Sequence, residues 1–366
     1  MKYIEKLLKG AEVKWMPLGE VAELKRGRVI SKEYLYENVG DYPVYSSQTV
    51  NNGEIGKINT FDFEQKAITW TTDGANAGTI FYRDGRFSIT NICGLITIKD
   101  TQILSYKYLY YWLSIEAKKH VYSGMGNPKL MSNQMGKVPI PIPPLAVQEE
   151  IARILDKFTT LEAELEAELD CRKRQYEYYR NQLLSLDVIN NKESLNKVEV
   201  VALGEIVTIK NGKTYKHLST GNIPVYGSGG IMCYVDQYVY DKPTVLIPRK
   251  GSLENIFYLD KPFWNVDTIY YTEIKDNIIM PKFLYHYLIN QHLEKLNLAG
   301  GVPSLTQKVL NNVPVPIPPL AEQQRIVSIL DKFEALTTSI SEGLPKEIAL
   351  RRKQYEYYRN QLLSFA

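Results

Sequence analysis

Cysteine is scarce in this chain: three in 366 residues, at Cys93, Cys171 and Cys233, with no CxxC pair. That spacing argues against a disulfide framework and a cysteine zinc site, and it suits a reducing compartment. Long apolar runs are missing as well; none approaches the roughly 18–20 residues of a membrane span. The amino-terminal stretch MKYIEKLLKGAEVKW is amphipathic but lacks the apolar centre of a secretory signal, so the cytoplasm is the expected compartment and no membrane is involved. Nor is there an excess of one charge, since 44 Lys and Arg face 41 Asp and Glu for a net +3. Bulk charge therefore makes no case for nucleic acid, and any such case rests on local clusters. Finally, catalytic motifs are lacking: no GxxxxGK, no GxGxxG after a strand, no HExxH and no GxSxG. His120, His217, His286 and His292 lie mainly on or beside predicted helices and read as structural or surface groups. Glu166 and Glu168 share a helix face and read as solvated charge, so no catalytic or metal site is expected.

What the chain does have is an internal repeat, the first thing to seek in a sequence of this length. VPIPIPPLAVQEEIARILDKF starts at Val138 and VPVPIPPLAEQQRIVSILDKF at Val313, an offset of 175. QYEYYRNQLLS occupies 175–185 and returns unchanged at 354–364, an offset of 179, so the second copy carries four extra residues in between. Weaker matches lie upstream: PLGEVAELKRGR with ALGEIVTIKNGK, YPVYSS with IPVYGS, TIFYRDGRF with NIFYLDKPF, and GNPKL with GVPSL. The plan is a variable block followed by a fixed block, used twice. With 44% hydrophobic and 23% charged residues there is material for more than one core. Tyr is abundant, 27 against 10 Phe, which suits half-wet surfaces and interfaces as well as cores.

Each fixed block opens on a proline strap, PIPIPPLA (139–146) or PVPIPPLA (314–321), whose alternate prolines predict an extended chain. Gln148, Glu149, Glu150 and Glu322, Gln323, Gln324 then mark a helical first turn. In the first copy Ile151, Ile154, Phe158, Leu161 and Leu165 step by three and four. After a stutter the series resumes as Leu169, Arg172, Tyr176, Tyr179, Leu183 and Leu186. The second copy runs Ile326, Ile329, Phe333, Leu336, Ile340, then Ile348, Arg351, Tyr355, Tyr358, Leu362 and Phe365. This is a coiled-coil seam with local unwinding at the stutter. Gly343 and Pro345 predict a kink or break in the second copy. A helix of about 40 residues is roughly 60 Å long. A seam of that length exceeds what a small domain of its own can bury, so the two helices are expected to pair antiparallel. The unchanged tail points to a docking surface for two identical partners, through Arg174, Tyr176, Tyr179 and Arg180 and through Lys353, Tyr355, Tyr358 and Arg359; a merely solvated face is the alternative.

The variable blocks show short β-rich runs between Gly, Asn and Asp turns, such as AITWTT, GTIFY, GLITI, TVLIP, NIFYL and TIYYTEI. Each also holds one helix, SYKYLYYWLSIEAKKH (105–120) or PKFLYHYLINQHLEKL (281–296). The fold class is α+β, with two pseudo-symmetric globular domains joined by long antiparallel coiled-coil helices. Boundaries are set at 1–145, 146–190, 191–320 and 321–366. Interstrand loops gather groups suited to phosphates and base edges. In the first block these are Lys25, Arg26, Arg28, Ser46, Ser47, Gln48, Thr71, Thr72, Asp73, Asn76, Asn127 and Lys129. In the second they are Lys210, Asn211, Lys213, Tyr226, Gly227, Ser228, Arg249, Lys250, Ser304, Gln307 and Lys308. Their equivalent placement in both copies is the stronger signal, since a single polar loop is usually only that.

Over essentially its whole length the chain resembles the specificity subunit of type I restriction–modification systems. The likeness rests on the two PxPIPPLA–Q–I–ILDKF helix entries, the two QYEYYRNQLLS tails and the two divergent α+β blocks before them. It implies that each variable block is a target-recognition domain reading half of a split double-stranded DNA sequence. The fixed helices would act as a ruler and dock two methyltransferase subunits, with motor–nuclease subunits joining the full complex. S-adenosylmethionine, ATP and magnesium would belong to those partners, and this chain would bind no cofactor and catalyse nothing. The four extra residues of the second copy would alter the local ruler unless the Gly343–Pro345 region absorbs them. A free-standing DNA-binding protein without enzyme partners and a coiled-coil scaffold with no DNA role remain as alternatives. A nuclease or methyltransferase in its own right has no motif to support it.

Overall fold

Both proline straps become short strands in the computed structural model, which describes residues 3–123, 126–185, 198–297, 303–339 and 341–365. The first copy runs β1 (Lys14–Pro17), β2 (Ala22–Arg26), β3 (Val39–Tyr45), β4 (Glu54–Ile58), β5 (Phe63–Glu64), β6 (Ala67–Thr71), β7 (Ile80–Arg83), β8 (Arg86–Ile89) and β9 (Cys93–Ile98). Helix α1 (Tyr106–Glu116), β10 (Pro139–Ile142) and helix α2 (Leu145–Leu183) complete it. The second copy runs β11 (Glu199–Ala202), β12 (Val207–Lys210), β13 (Thr220–Gly227), β14 (Gly230–Val235), β15 (Thr244–Pro248), β16 (Phe257–Leu259), β17 (Trp264–Asn265) and β18 (Ile269–Ile274). Helix α3 (Pro281–Asn290), β19 (Pro314–Ile317), helix α4 (Leu320–Thr338) and helix α5 (Gly343–Leu362) follow.

The sheets repeat as the sequence does. Order β2-β9-β6-β7 in the first copy corresponds to β12-β18-β15-β16 in the second, and β4-β3-β8-β5 to β14-β13-β17. Strands β6 and β15 are interior and wholly buried, so β-branched and aromatic side chains can be used on both faces. Each strap, β10 or β19, pairs antiparallel with one strand only, β1 or β11. A proline lacks an N–H, and a strand paired on one side tolerates that. The strap carbonyls freed of a ladder partner accept bonds from the domain helices: Tyr108 Oη donates to Pro141 O at 2.8 Å, Trp112 Nε1 to Pro139 O at 2.9 Å, and Tyr287 Oη to Pro314 O at 2.8 Å. The expected helices end early, at Glu116 and Asn290, and tighten into 3₁₀ turns over Ala117–His120 and Leu293–Leu296. In the second case His292 interrupts with φ +51°.

Chain contacts divide the protein into two compact units, residues 1–164 with 349–366, and residues 165–348. The cut falls inside the 39-residue α2. The expected boundary at 190/191 lies outside the described residues, as do Leu186 and Ile340 of the seam. In the first unit Ile68, Trp70 and Ile96 of the sheet meet Tyr108, Leu109 and Trp112 of α1, and Ile151 and Leu155 of α2. Leu362 and Leu363, from the tail of the second copy, complete that core. In the second unit Val245, Ile247, Phe283, Leu284, Ile326 and Leu330 pack together, and Leu184 from the tail of the first copy joins them. The two tails are thus exchanged: each repeat closes the core built by the other.

The helix pairing is antiparallel within each unit. In the first, Phe158 stacks on Tyr358 at 5.3 Å and Glu162 pairs with Arg352. In the second, Phe333 lies between Tyr176 at 6.2 Å and Tyr179 at 5.4 Å. The break expected at Gly343 is present: α4 ends at Thr338 and α5 begins at Gly343, which adopts φ +80°. A Cβ there would lie 2.5 Å from the Ala335 carbonyl oxygen, so glycine is required.

Candidate nucleic-acid interface

Strands β8 and β9 are joined by a turn, Thr90–Asn91–Ile92. Four of the first block's candidate residues, Arg26, Arg28, Ser46 and Thr72, reach it, whereas Lys25 pairs with Glu23 instead. Arg26, at the end of β2, donates through Nη2 to Asn91 O and to Thr72 Oγ1 at 3.0 Å, and pairs with Asp73 at 3.4 Å. The Thr72 hydroxyl also lies 3.0 Å from Ile92 O. Arg28 forms a parallel bridge with Thr90, whose Oγ1 donates to Ser46 Oγ at 2.9 Å. The Arg28 guanidinium is held by Asp62 at 3.1 Å and by the Tyr34 hydroxyl, and these bonds, Tyr34 foremost, raise its pKa. The loop after β6 is tied to segment 127–130 by Gly74 N to Pro128 O at 3.0 Å, Leu130 N to Thr72 O at 2.9 Å, and an Asp73–Lys129 bridge. Gln48 donates to the Glu54 carbonyl and stiffens its own loop; Ser47 is half-buried beside it.

The second unit builds the same scaffold around Val266–Asp267–Thr268. Lys213 N donates to Asn265 O at 2.8 Å, and Val266 N to Tyr226 O at 3.0 Å. Ser228 N donates to Thr268 Oγ1 at 3.2 Å. Arg249 Nη1 donates to Asp267 O at 3.3 Å. Gly251 N reaches Pro303 O at 3.1 Å, Leu305 N reaches Arg249 O at 2.9 Å, and Lys250 bridges Ser304. Lys210 pairs with Glu273 at 3.4 Å, and Gln307 Nε2 donates to Ile209 O at 3.3 Å. Asn211 and Lys308 are exposed. Gly27 and Gly212 hold the same place in the two copies for the same reason. A Cβ on Gly27 would sit 2.0 Å from Ile89 O, and one on Gly212 2.0 Å from Val266 O.

Several expected contacts need correction. Thr71 and Thr72 are buried, at 1% and 0% exposure, because they belong to the interior of the sheet and its first loop bond. Ser46 and Gly227 are buried too, and Tyr226 packs against Phe257 at 5.6 Å. These residues shape the loops and do not face outward. The outward groups are Lys25, Arg28, Asn76, Asn127 and Lys129 in the first unit, and Asn211, Lys213, Lys250 and Lys308 in the second. Residues overlooked in the sequence include Asn91 and Asp267, exposed at the tips of the two turns, and Asn51 and Asn52, exposed with φ +50° and +53°. Asn and Asp between strand runs are turn formers, and the VNNG string was the signal for the last two.

The tail residues need a similar revision. Tyr176 and Tyr355 turn inward, and burial pushes both hydroxyls up to about 12. Arg180 and Arg359 lie over those rings at 5.3 and 5.5 Å. Tyr179 and Tyr358 stack on Phe333 and Phe158 and stay exposed besides. Arg174 pairs with Asp170, and Lys353 is exposed. The most outward tyrosines of the tails are Tyr178 and Tyr357, 59% and 61% exposed, against 42% and 37% for Tyr179 and Tyr358. Helical spacing explains the exchange of roles, because a residue two positions from a seam residue faces away from it.

The Asp of each ILDKF motif anchors the long helix to the domain helix. Asp156 accepts from Lys107 at 3.0 Å and Tyr111 at 2.6 Å. Asp331 faces Lys282 at 2.6 Å and His286 at 2.9 Å. Burial would raise the Asp331 carboxyl, but the bonds from His286 and Lys282 outweigh it and hold its pKa below the ordinary value. His286, Asp331 and Glu334 bring donor atoms within 4.8 Å of one another. With Lys282 on Asp331 and Tyr285 Oη donating to Glu334 at 2.7 Å, the group is an anchor built from an ion pair and hydrogen bonds. Among the described residues, no helix is long and apolar enough to cross a membrane.

Comparison with known proteins agrees with this geometry. A family model described as the type I restriction modification DNA specificity domain matches residues 11–170 and 196–350. A putative type I specificity subunit of Mycoplasma pneumoniae, S.MpnORF507P, is 31% identical over 97% of this chain and 98% of its own length. The EcoR124I/EcoR124II specificity subunit of Escherichia coli is 35% identical over 100% of this chain and 97% of its own. In fold, the chain is similar to the crystal structure of a type I restriction–modification S subunit from M. genitalium, with TM-score 0.67 at 22% identity over 98% of this chain and 97% of that one. It is also similar to a chain from a structure on complex assembly and conformational transition of the type I R-M system, with TM-score 0.56 at 17% identity over 96% of this chain and 98% of that one. The chain belongs to the DNA specificity subunits of type I restriction–modification systems, the non-catalytic members that recognise the DNA target.

Proposed function

We propose that this subunit reads a bipartite DNA sequence, one half-site per compact unit, and docks two methyltransferase subunits, through which motor–nuclease subunits join. The observation that carries the reading is the pair of equivalent turns, each held by the same backbone bonds and surrounded by different outward side chains. A shared frame with unlike side chains suits two readers of unlike half-sites. In the first unit Lys25, Arg28 and Lys129 would meet phosphates or guanine, and Asn76, Asn91 and Asn127 base edges. In the second, Lys213, Lys250 and Lys308 would do the former, and Asn211 and Asp267 the latter. Helix α2, which passes from one unit into the other, would set the unread spacer. The two identical tails, with Tyr178 and Tyr357 outward, are the natural seats for two copies of one partner. S-adenosylmethionine, ATP and magnesium would be held by the partners, working on DNA in the cytoplasm.

Genome-wide methylation mapping with and without the gene tests this reading. A split motif with a fixed unread gap is expected; a continuous short motif, or no change, would refute it. Affinity for a duplex carrying the motif should fall steeply with salt, as phosphate contacts require.

A further inference from the structure

Arg83, at the end of β7, is 3% exposed, yet it belongs to neither the turn nor the helix anchors. Its direct contacts are a hydroxyl, a carbonyl and two rings. Burial lowers its pKa, even though the Glu54 carboxylate acts on it electrostatically without a hydrogen bond. Nε donates to Thr69 Oγ1 at 3.0 Å and Nη2 to Asn52 O at 2.9 Å. The guanidinium carbon lies 3.5 Å from the Tyr45 ring centre and 4.7 Å from that of Phe81. Nη1 is buried without a hydrogen-bond partner. A buried cation compensated this thinly is costly, so packing alone does not explain it. The repeat supplies the control: Leu259 stands at the equivalent position, and the second unit folds around it.

What separates the two environments is the loop that Arg83 holds. Tyr45 pairs with Glu54 across β3 and β4, leaving residues 46–53 between them. Tyr226 pairs with Ile231 across β13 and β14, leaving only 227–230, Gly-Ser-Gly-Gly. The long loop starts at Ser46, which is bonded to Thr90 of the reading turn. Its tip carries three successive left-handed residues, Asn51, Asn52 and Gly53, with φ +50°, +53° and +81°. Such a tip persists only where its surroundings hold it, and Arg83 bonds the middle carbonyl. Outside lie Thr49, Val50, Asn51 and Asn52. An asparagine amide offers the adjacent donor and acceptor that match an adenine edge.

We propose that Arg83 is a positioning residue for half-site recognition by the first unit, fixing loop 46–53 so that the Asn51 and Asn52 amides are presented to the DNA. It acts through the loop and touches no base itself. The inference rests on the bipartite reading above.

Two variants test it in the subunit reconstituted with its methyltransferase: Arg83→Leu, and Arg83→Leu with residues 46–53 replaced by GSGG. Methylation mapping of Arg83→Leu should show at least a tenfold loss of discrimination in one half of the motif, with the other half kept. The loop replacement should remain folded and lose the same half. An unchanged motif, with discrimination undiminished in both halves, in either variant overturns the proposal. If Arg83→Leu loses both halves or fails to fold, the loop replacement decides on the same criterion. Amide exchange separates this inference from the reading on which it rests. Arg83→Leu should speed exchange at 49–53 at least tenfold, leaving β6 and β9 unchanged. Unchanged loop exchange overturns the pinning, whereas an undivided motif in the wild type overturns the bipartite reading instead.

Discussion

The two units hold one guanidinium each at the tip of the reading turn, but they fetch it from opposite sides. In the first unit Arg26, at the end of β2, reaches Asn91 O; the equivalent residue in the second is Asn211, which is exposed. There Arg249, after β15, reaches Asp267 O, and its own equivalent in the first unit is the buried Thr72. A backbone carbonyl accepts from either direction, so the frame survives the move while the surface around it is redrawn. The divergence between the blocks is therefore not free. Side chains and the loop between β3 and β4 or β13 and β14 change, while main-chain bonds at the turn, Thr90 N to Tyr45 O and Val266 N to Tyr226 O among them, recur.

That comparison can be strained in four places, beginning with the most severe. Deleting residues 349–366 removes Leu362 and Leu363 from the core of the first unit only. With about 2–5 kcal/mol for each buried leucine lost, amide protection should collapse in the first unit and persist in the second. Equal loss in both would mean the units are not separately built. Next, Gly27→Val and Gly212→Val would each drive a side chain into a carbonyl 2.0 Å from the first carbon. Each should cost about 4 kcal/mol or more, an exceptional value for one substitution, and abolish one half of the methylated motif; which half is lost should differ between the two variants. A shared outcome would break the assignment of one half-site to one unit.

Smaller effects sharpen the likeness of the units. Gln148 is fully buried and accepts from Ser105 N at 2.9 Å while donating to Ile103 O and Pro143 O, both at 2.8 Å. Gln323 does the same with Met280 N, Ile278 O and Pro318 O. Replacing either by Ala leaves buried groups unpaired, so each should cost about 2–3 kcal/mol in urea unfolding, to a similar degree in both copies. Least of all, the second unit should weaken in acid through Asp331. Its folded pKa is below the unfolded value near 4. The stabilisation is therefore complete above about pH 4 and is lost as pH falls through the folded value. Asp331→Asn should flatten that part of the pH–stability profile; an unchanged profile would assign the acid sensitivity elsewhere.

Much of the architecture was legible because it rests on local rules. Alternate prolines forbid helix, so both straps had to be extended, and Gly343 with Pro345 had to break the second long helix. The seam of Ile151, Ile154, Phe158 and Leu161 demanded a helical partner. The burial of Thr71 and Thr72 was not legible, since a threonine between strand and loop looks the same whether it faces a core or a groove. Tyr178 and Tyr357 were passed over for seam neighbours, because an unchanged string does not say which of its tyrosines points outward. Nor does the string TIFYRDGRF reveal that Arg83 is buried, since an arginine before a DG turn is ordinarily solvated.

The sequence by itself determined that there are two copies, that each holds an α+β body and a long helical seam, and that the copies differ by four residues at a helix break. Those features depend on composition and spacing along the chain. Only the tertiary structure decided that the tails are exchanged, with Leu184 closing the second core and Leu362 and Leu363 the first. Identical tails present the same apolar face, so nothing local distinguishes a tail folding back on its own repeat from one crossing to the other. That choice is made by which partner helix lies antiparallel beside it.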